Sequence, residues 1–463
     1  MAYEGGTMPI VKAPYRMSVA ILLLIGSARV DAGPIDNLLQ EATANDPQKA
    51  VAAVIEQICP PGNLLSQDLQ NQCDNIVVAT LIEGDVAQGQ AGLQGMAPEE
   101  NSVVHATEVD TGKNQRTDVL GRLTSLRAGT ATAYSFNIDG QRVTAADIFG
   151  EPGDKLRGGG ASADFDRSRL GVYVNGNFGI SDKDATSRES GFNADNYGVT
   201  GGADYRFTDQ TVLGVAFGYN TVTADLKANG GKLDTDGYTV SAYGSYMPTQ
   251  RAYVNAVFGY TWNNHDQNRT VAYTITNPAH AGTGTVNQQA LSKTDSREYN
   301  FNLEAGYDFY ANDWTLTPYA RFDYANTEID GYSEHMSNPA ANGSGLAVAM
   351  DSQNTTSVTT TFGGRVSRTI ETSWGYLYPQ AGAEYVHEFD NDNKDITGHF
   401  VDDTTQTVFR LPTDKTDRDY GDVTAGLTAD FRNGWSGHFV YQGLIGYKNL
   451  TVHAFEVGLR LDF

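Results

Sequence analysis

The residues best suited to chemistry are Cys59 with Cys73, His387 beside Glu388, and the carboxylate run DNDNKD from Asp390. Two thiols can be oxidised to a disulfide or hold a soft metal, a His beside a Glu is half of a zinc site, and clustered carboxylates suit calcium. The metal readings lack partners. No His lies near either cysteine, His387 has no second His at zinc spacing, and DNDNKD lacks the Gly at the sixth place and the Glu at the twelfth of a calcium loop. His387 and Glu388 are therefore expected to be solvated polar groups near a loop. GGG at Gly158 to Gly160 does not follow a strand and open a helix, so it reads as linker and not as a phosphate cradle. A lipase-type nucleophile would need GxSxG or a GDSL-like block, and neither occurs, nor does HExxH or a Walker loop. The expectation is a protein without an active site, metal or cofactor.

What positions these residues begins with export. Lys12 and Arg16 precede the apolar run Val19 to Ile25, and Val30 and Ala32 place small residues at minus three and minus one of a cut before Gly33. Residues 1–32 read as a signal peptide. The competing reading, a membrane or buried helix, fails on length for a span, which needs roughly 20 apolar residues. In an exported chain the pair Cys59 and Cys73, the only cysteines, most simply forms a disulfide. Closing a loop of about 15 residues contributes roughly 3 kcal/mol. The disulfide falls in a small helical module over residues 33–97. Ile35, Leu38, Leu39 and Ala42, then Val51, Val54, Ile55 and Ile58, then Ile76, Val77, Ala79, Leu81 and Ile82 recur at helical spacing, which predicts three or four short helices.

From residue 168 onward the period changes to two. In the last thirteen residues, TVHAFEVGLRLDF, Thr451, His453, Phe455, Val457, Leu459, Leu461 and Phe463 face one way, and Val452, Ala454, Glu456, Gly458, Arg460 and Asp462 the other. Elsewhere Val199, Gly201, Ala203, Tyr205 and Phe207 oppose Asp204 and Arg206; Tyr299, Phe301, Leu303, Ala305 and Tyr307 oppose Asn300, Asn302, Glu304 and Asp308. Leu316, Pro318, Ala320, Phe322 and Tyr324 oppose Thr317, Arg321 and Asp323. Segments of this kind fall at 168–179, 195–207, 211–224, 236–247, 251–263, 296–310, 314–326, 356–370, 374–388, 418–431, 435–447 and 451–463. Twelve is an even number that closes an antiparallel barrel without edges, and each segment is about the roughly 9–11 residues of a tilted membrane-spanning strand.

Lipid would take the apolar row. The polar row, including Asp204, Arg206, Glu304, Arg321, Asp323 and Glu384, would face a wet lumen where opposite charges pair; a basic residue at the bilayer midplane would cost roughly 2–4 kcal/mol. Short turns at 208–210, 248–250 and 433–434 alternate with long polar stretches near 264–295, 327–355 and 389–417, so the short turns are expected in the periplasm and the long ones outside. Aromatics at strand ends, among them Tyr246, Trp262, Trp314, Trp374 and Trp435, fit interfacial belts. A composition of 25 Tyr, 19 Phe and 50 Gly suits strands and turns, and a formal charge of -24 without a basic cluster excludes nucleic-acid binding.

Ordered matches along residues 168–463 resemble the autotransporter β-domain family: GVYVNG from Gly171, GF at Gly191, YGVTGGADYRFT from Tyr197, LGVAFGY from Leu213, LTPYARFDY from Leu316, IDGYSE from Ile329, YPQAGAEYVHEF from Tyr378 and RDY from Arg418. The ending, with Gly458, Arg460 and Phe463, is similar to the family's signal for the outer-membrane insertion machinery; Phe463 could equally be an interfacial anchor. The resemblance implies lipid, that machinery and periplasmic chaperones as partners, and a monomer. It also implies a helix in the pore. The candidate lies within 98–167, from Pro98 to Gly129, with Glu99 and Glu100 in its first turn and Arg122, Leu123, Leu126 and Arg127 toward its end. An ordinary solvated helix is the alternative.

Twelve strands that end in the periplasm also begin there, so whatever precedes the first must stay periplasmic or thread the lumen. The sequence thus reads as an all-β transmembrane barrel with a pore helix and a small N-terminal helical module. Its expected function is an outer-membrane translocator that anchors its own short N-terminal passenger and either carries it across the membrane or leaves it in the pore and periplasm. The rival is a porin-like or adhesive barrel that secretes nothing.

Overall fold

Alternating side chains build one closed wall. The structure, a computed structural model, describes residues 38–60, 65–99, 103–104, 117–124, 135–138, 141–144, 170–227, 230–390, 395–432 and 435–462. The wall has twelve long strands: β1 (Leu170–Lys183), β2 (Phe192–Thr208), β3 (Thr211–Leu226), β4 (Lys232–Tyr246), β5 (Ala252–Thr274) and β6 (Thr285–Tyr307), then β7 (Trp314–Ile329), β8 (Gln353–Arg368), β9 (Gly375–Glu388), β10 (Asp419–Phe431), β11 (Trp435–Ile445) and β12 (Leu450–Asp462). Each pairs antiparallel with its neighbours in the chain, and β12 returns to β1, with Leu450 opposite Lys183 and Asp462 opposite Gly171. The barrel therefore has no free edge.

The expected lipid-facing row is the exposed one. Val199, Phe301, Leu303, Leu316, Phe322 and Leu459 are exposed, while Asn302 and Glu304 on the opposite face are buried. No helix among the described residues is long and apolar enough to cross a membrane.

Residues 264–295, expected as a polar loop, are instead mostly strand. β5 and β6 are 23 residues each and pair up to Thr274 opposite Thr285. From Asn263 to Thr274 the arm extends about 40 Å at 3.4 Å per residue. Along it the polarity reverses. Below, Val254, Phe258 and Trp262 point outward and are exposed; above, Val271, Tyr273 and Val286 point inward and are buried. The two other long connections carry short strands too: Tyr332–Ser333, Val348–Met350, Asp395–Phe400 and Phe409–Pro412 form a separate four-stranded sheet.

The inward apolar face of this upper storey packs on helices. α1 (Leu38–Glu41), α2 (Asp46–Ile58), α3 (Gln67–Val77) and α4 (Val86–Met96) follow in order, with a π-helical turn over Val78–Ile82 after α3. Side-chain caps start the longer three: Asn45 accepts from the Gln48 amide, Ser66 from Leu69 and Asp85 from Gln88. Cys59 and Cys73 are disulfide-bonded and tie the end of α2 to α3. Val51, Ile55, Ile58, Leu69, Ile76, Leu93 and Met96 share one core with Val271, Tyr273 and Val286 of the arm and with Leu346, Phe400 and Phe409 of the loops. Burying each such large aliphatic contributes about 1.5–3 kcal/mol. The small module therefore has half of its core supplied by the barrel's long-loop end.

The region expected to be the signal peptide, the GGG linker, the 433–434 turn and Phe463 lie outside the described residues.

Candidate functional site

The lumen holds two short pieces of the chain that precedes β1. Residues 117–124 are helical and lie toward the short-turn end, where Val119, Leu120 and Leu123 pack with Tyr173, Val212, Ala216, Tyr243 and Val257 of the inner wall. Residues 103–104 lie at the opposite end. Val103 and Val104 are buried and cluster with Phe192, Ala194, Val222, Ala224, Leu226, Leu233 and Ile329, all from the long-loop ends of β2, β3, β4 and β7.

The helix is clamped by charge and hydrogen bonds. Arg122 donates to both carboxylate oxygens of Asp204, at 2.6 and 2.7 Å, and the guanidinium lies 5.2 Å from the Tyr173 ring centre. The Tyr243 hydroxyl donates to the same carboxylate at 3.2 Å. One turn earlier, Asp118 accepts from Thr200 Oγ1 at 2.6 Å and from Asn177 Nδ2 at 3.0 Å. Asn175 bridges the Asp118 carbonyl to Glu456, whose carboxylate also meets His438 Nε2 at 2.9 Å. At the helix end Arg365 donates to Thr124 Oγ1 at 3.1 Å.

Arg365 belongs to a second network on the wall. It donates to Glu304 at 3.2 Å and stacks over the Tyr319 ring; Arg321 donates to Glu384 at 2.8 Å and to Asp323 at 3.0 Å, and Tyr319 donates to Glu384. Cations and carboxylates pair here out of contact with lipid, as a polar lumen allows. Inward tyrosines fit this wall because glycine stands directly opposite each: Tyr173 over Gly202, Tyr243 over Gly214, Tyr253 over Gly306 and Tyr319 over Gly363.

The structure places Asp204 on the helix clamp and brings Glu304, Arg321, Asp323 and Glu384 into one network. Arg206 stands apart at the short-turn end, where it donates to the Asp209 carbonyl. Arg122 and Leu123 lie on the lumen helix, and Leu126 and Arg127 fall outside the described residues. Gly458 faces inward, and a methyl group there would collide with His438. Arg460 lies in β12. Glu388 departs from the solvated reading: it is buried and accepts from Ser357 Oγ and the Val358 and Asp390 amides, while half-buried His387 pairs with Asp419. Asp118, Arg365 and the apolar ring around Val103 and Val104 carry no local signature that would single them out. Glu456 is visible only as one more charge in an inward row. Among the described residues no three His, Cys, Asp or Glu side chains are grouped to hold a metal ion.

At the long-loop end the module is bound by buried polar groups as well as by its core. Arg269, on the arm, forks onto Glu334 at 2.6 and 2.9 Å and also donates to the carbonyls of Gly95, at the end of α4, and Leu346. Asn75 of α3 donates to Thr283 and accepts from the Ala279 amide, and Asp68 accepts from the Gly343 and Gly345 amides.

A profile described as the autotransporter β-domain matches residues 172–442. The chain is 25% identical over 289 residues to outer membrane protein A of Rickettsia rickettsii, covering 56% of this chain and 12% of that protein. It is 25% identical over 231 residues to esterase EstA of Pseudomonas aeruginosa, covering 49% of this chain and 32% of that protein. It thus spans about a third or less of either relative. Among solved structures, the translocator domain of autotransporter NalP from Neisseria meningitidis is similar with a TM-score of 0.48 and 16% identity, covering 64% of this chain and 90% of that one.

Proposed function

Because the chain belongs to the autotransporter β-domain family and its barrel resides in the bacterial outer membrane, we propose that it is a translocator that carries its own short N-terminal module through the lumen and keeps it. The observation that carries this reading is the route of the chain. The helices sit at the long-loop end, residues 103–104 and 117–124 lie inside the wall, and β1 starts at the short-turn end. A segment so arranged has its N-terminal side outside if the short turns are periplasmic.

The work is physical, not catalytic. A closed wall satisfies every strand's backbone, a polar lumen accepts an extended chain, and the outer loops complete the core of what emerges. Insertion into lipid would use the barrel-insertion machinery and periplasmic chaperones, with the inward-facing Gly458, together with Arg460 and Phe463, as the assembly signal. The match to an esterase brings no hydrolytic activity to this chain, which lacks the nucleophile motifs of such enzymes. A porin-like channel is disfavoured by the occupied lumen.

An epitope at Gly84, where nothing lies within 4 Å, tests this beside a control epitope at the exposed Lys448 in the β11–β12 connection. Antibody should bind both on intact cells. If the Lys448 tag is accessible and the Gly84 tag becomes so only after permeabilisation, the module never crossed and the export reading fails.

A further inference from the structure

Lumen contacts fall into two levels that differ in chemistry. Around residues 117–124 the contacts are mixed: Arg122 and Asp118 are held by charge and hydrogen bonds, while Val119, Leu120 and Leu123 pack on the inner wall. The helix level is therefore a specific grip on the chain.

Around Val103 and Val104 the wall is apolar. Phe192, Val222, Leu226, Leu233 and Ile329 converge there from four strands, and all are essentially buried. On the same strands the neighbouring inward positions Asn196, Thr200, Asn220 and Thr235 are polar. An apolar constriction expels water and raises the barrier to ions without needing a mechanical plug. Val103 and Val104 of the chain that precedes β1 are buried among these apolar side chains.

We propose that this apolar collar, closed by Val103 and Val104, is the permeability barrier of the barrel. The grip at Arg122 and Asp204 fixes the chain, and the collar keeps ions and small polar solutes from following it. The barrier requires membrane placement of the barrel, and it is independent of whether the module was exported.

The test uses the full-length protein in planar bilayers. Val103→Asp with Val104→Asp, the milder Val103→Ser with Val104→Ser, and Leu233→Asp on the wall place polar groups in the collar from both sides. Heat-modifiable migration and surface access of the Lys448 tag check folding of each. The expected result is a several-fold rise in current over the unaltered protein for the collar variants, larger than for Arg122→Ala with Asp204→Ala. Current that stays at baseline in every folded collar variant overturns the proposal, as does a larger current from the Arg122 and Asp204 pair. Either result leaves the Gly84 epitope outcome, and with it the export reading, to be judged separately.

Discussion

Two neighbouring glycines on β8 differ sharply in what surrounds them. A side chain at Gly363 would run into the Tyr319 ring, whereas Gly364 has nothing within 4 Å. Gly363→Val should cost about 1–3 kcal/mol through overpacking. Gly364→Val should be near neutral, and urea titration of the detergent-folded barrels measures both; equal midpoints would refute the fit of ring over glycine. The buried Arg122–Asp204 pair makes a second case. Removing either partner strands the other charge, so each single alanine variant should lose about 3–5 kcal/mol, and the double variant should recover part of that. Asp403 adds a pH dependence outside the membrane. Burial alone would raise its carboxyl, but hydrogen bonds from Thr405 and Thr407 outweigh it and hold it below the usual range. A depressed carboxyl stabilises the fold above its unfolded pKa of about 3.9 and loses that contribution as pH falls through the folded value. Hydrogen exchange in 395–412 should therefore be faster in Asp403→Asn at neutral pH, with the difference shrinking in acid.

At the scale of elements, the β5–β6 arm is held to α3 by Asn75, which serves as donor to Thr283 and acceptor from Ala279. Asn75→Ala should cost about 1–3 kcal/mol, because it strands backbone groups of the arm tip, and should expose that tip to proteolysis. Sequence periodicity located all twelve wall strands within the membrane because lipid imposes one rule on every outward position. It failed above Trp262 because the rule inverts there: Asp266 and Asn268 face water, and Val271 and Tyr273 face in, so a pattern sought with the membrane's polarity dissolves into apparent loop. Asp204, Glu304, Arg321, Asp323 and Glu384 were legible as inward charges for the same reason. Their partners were not. Arg122 meets Asp204 across 82 residues and Arg365 meets Glu304 across 61, pairings fixed by sheet register and by where the chain threads, which no local pattern encodes.

Across the whole molecule, wall, loops and helices form one cooperative unit at the long-loop end. The core residues of α2 to α4 are completed by Tyr273, Leu346, Phe400 and Phe409, so residues 38–97 alone, even with the disulfide closed, should lack a stable fold. Circular dichroism and amide dispersion of that fragment are the check, and native-like helices in isolation would contradict the shared core. In the intact chain, Cys59→Ser with Cys73→Ser removes a cross-link worth roughly 3 kcal/mol. The module should nevertheless stay bound, because the loops still cover it.

The reversal of polarity on the arm also bears on ancestry. A cargo that merely passes through a barrel can be exchanged by recombination at the linker, with no change in the barrel's genes beyond it. Here half of the helical module's interior is encoded more than 170 residues downstream, in the hairpin and the two long loops. A transplant of the first hundred residues onto another barrel would leave apolar surface bare on both halves. Segments so separated in the chain are bound to be inherited together.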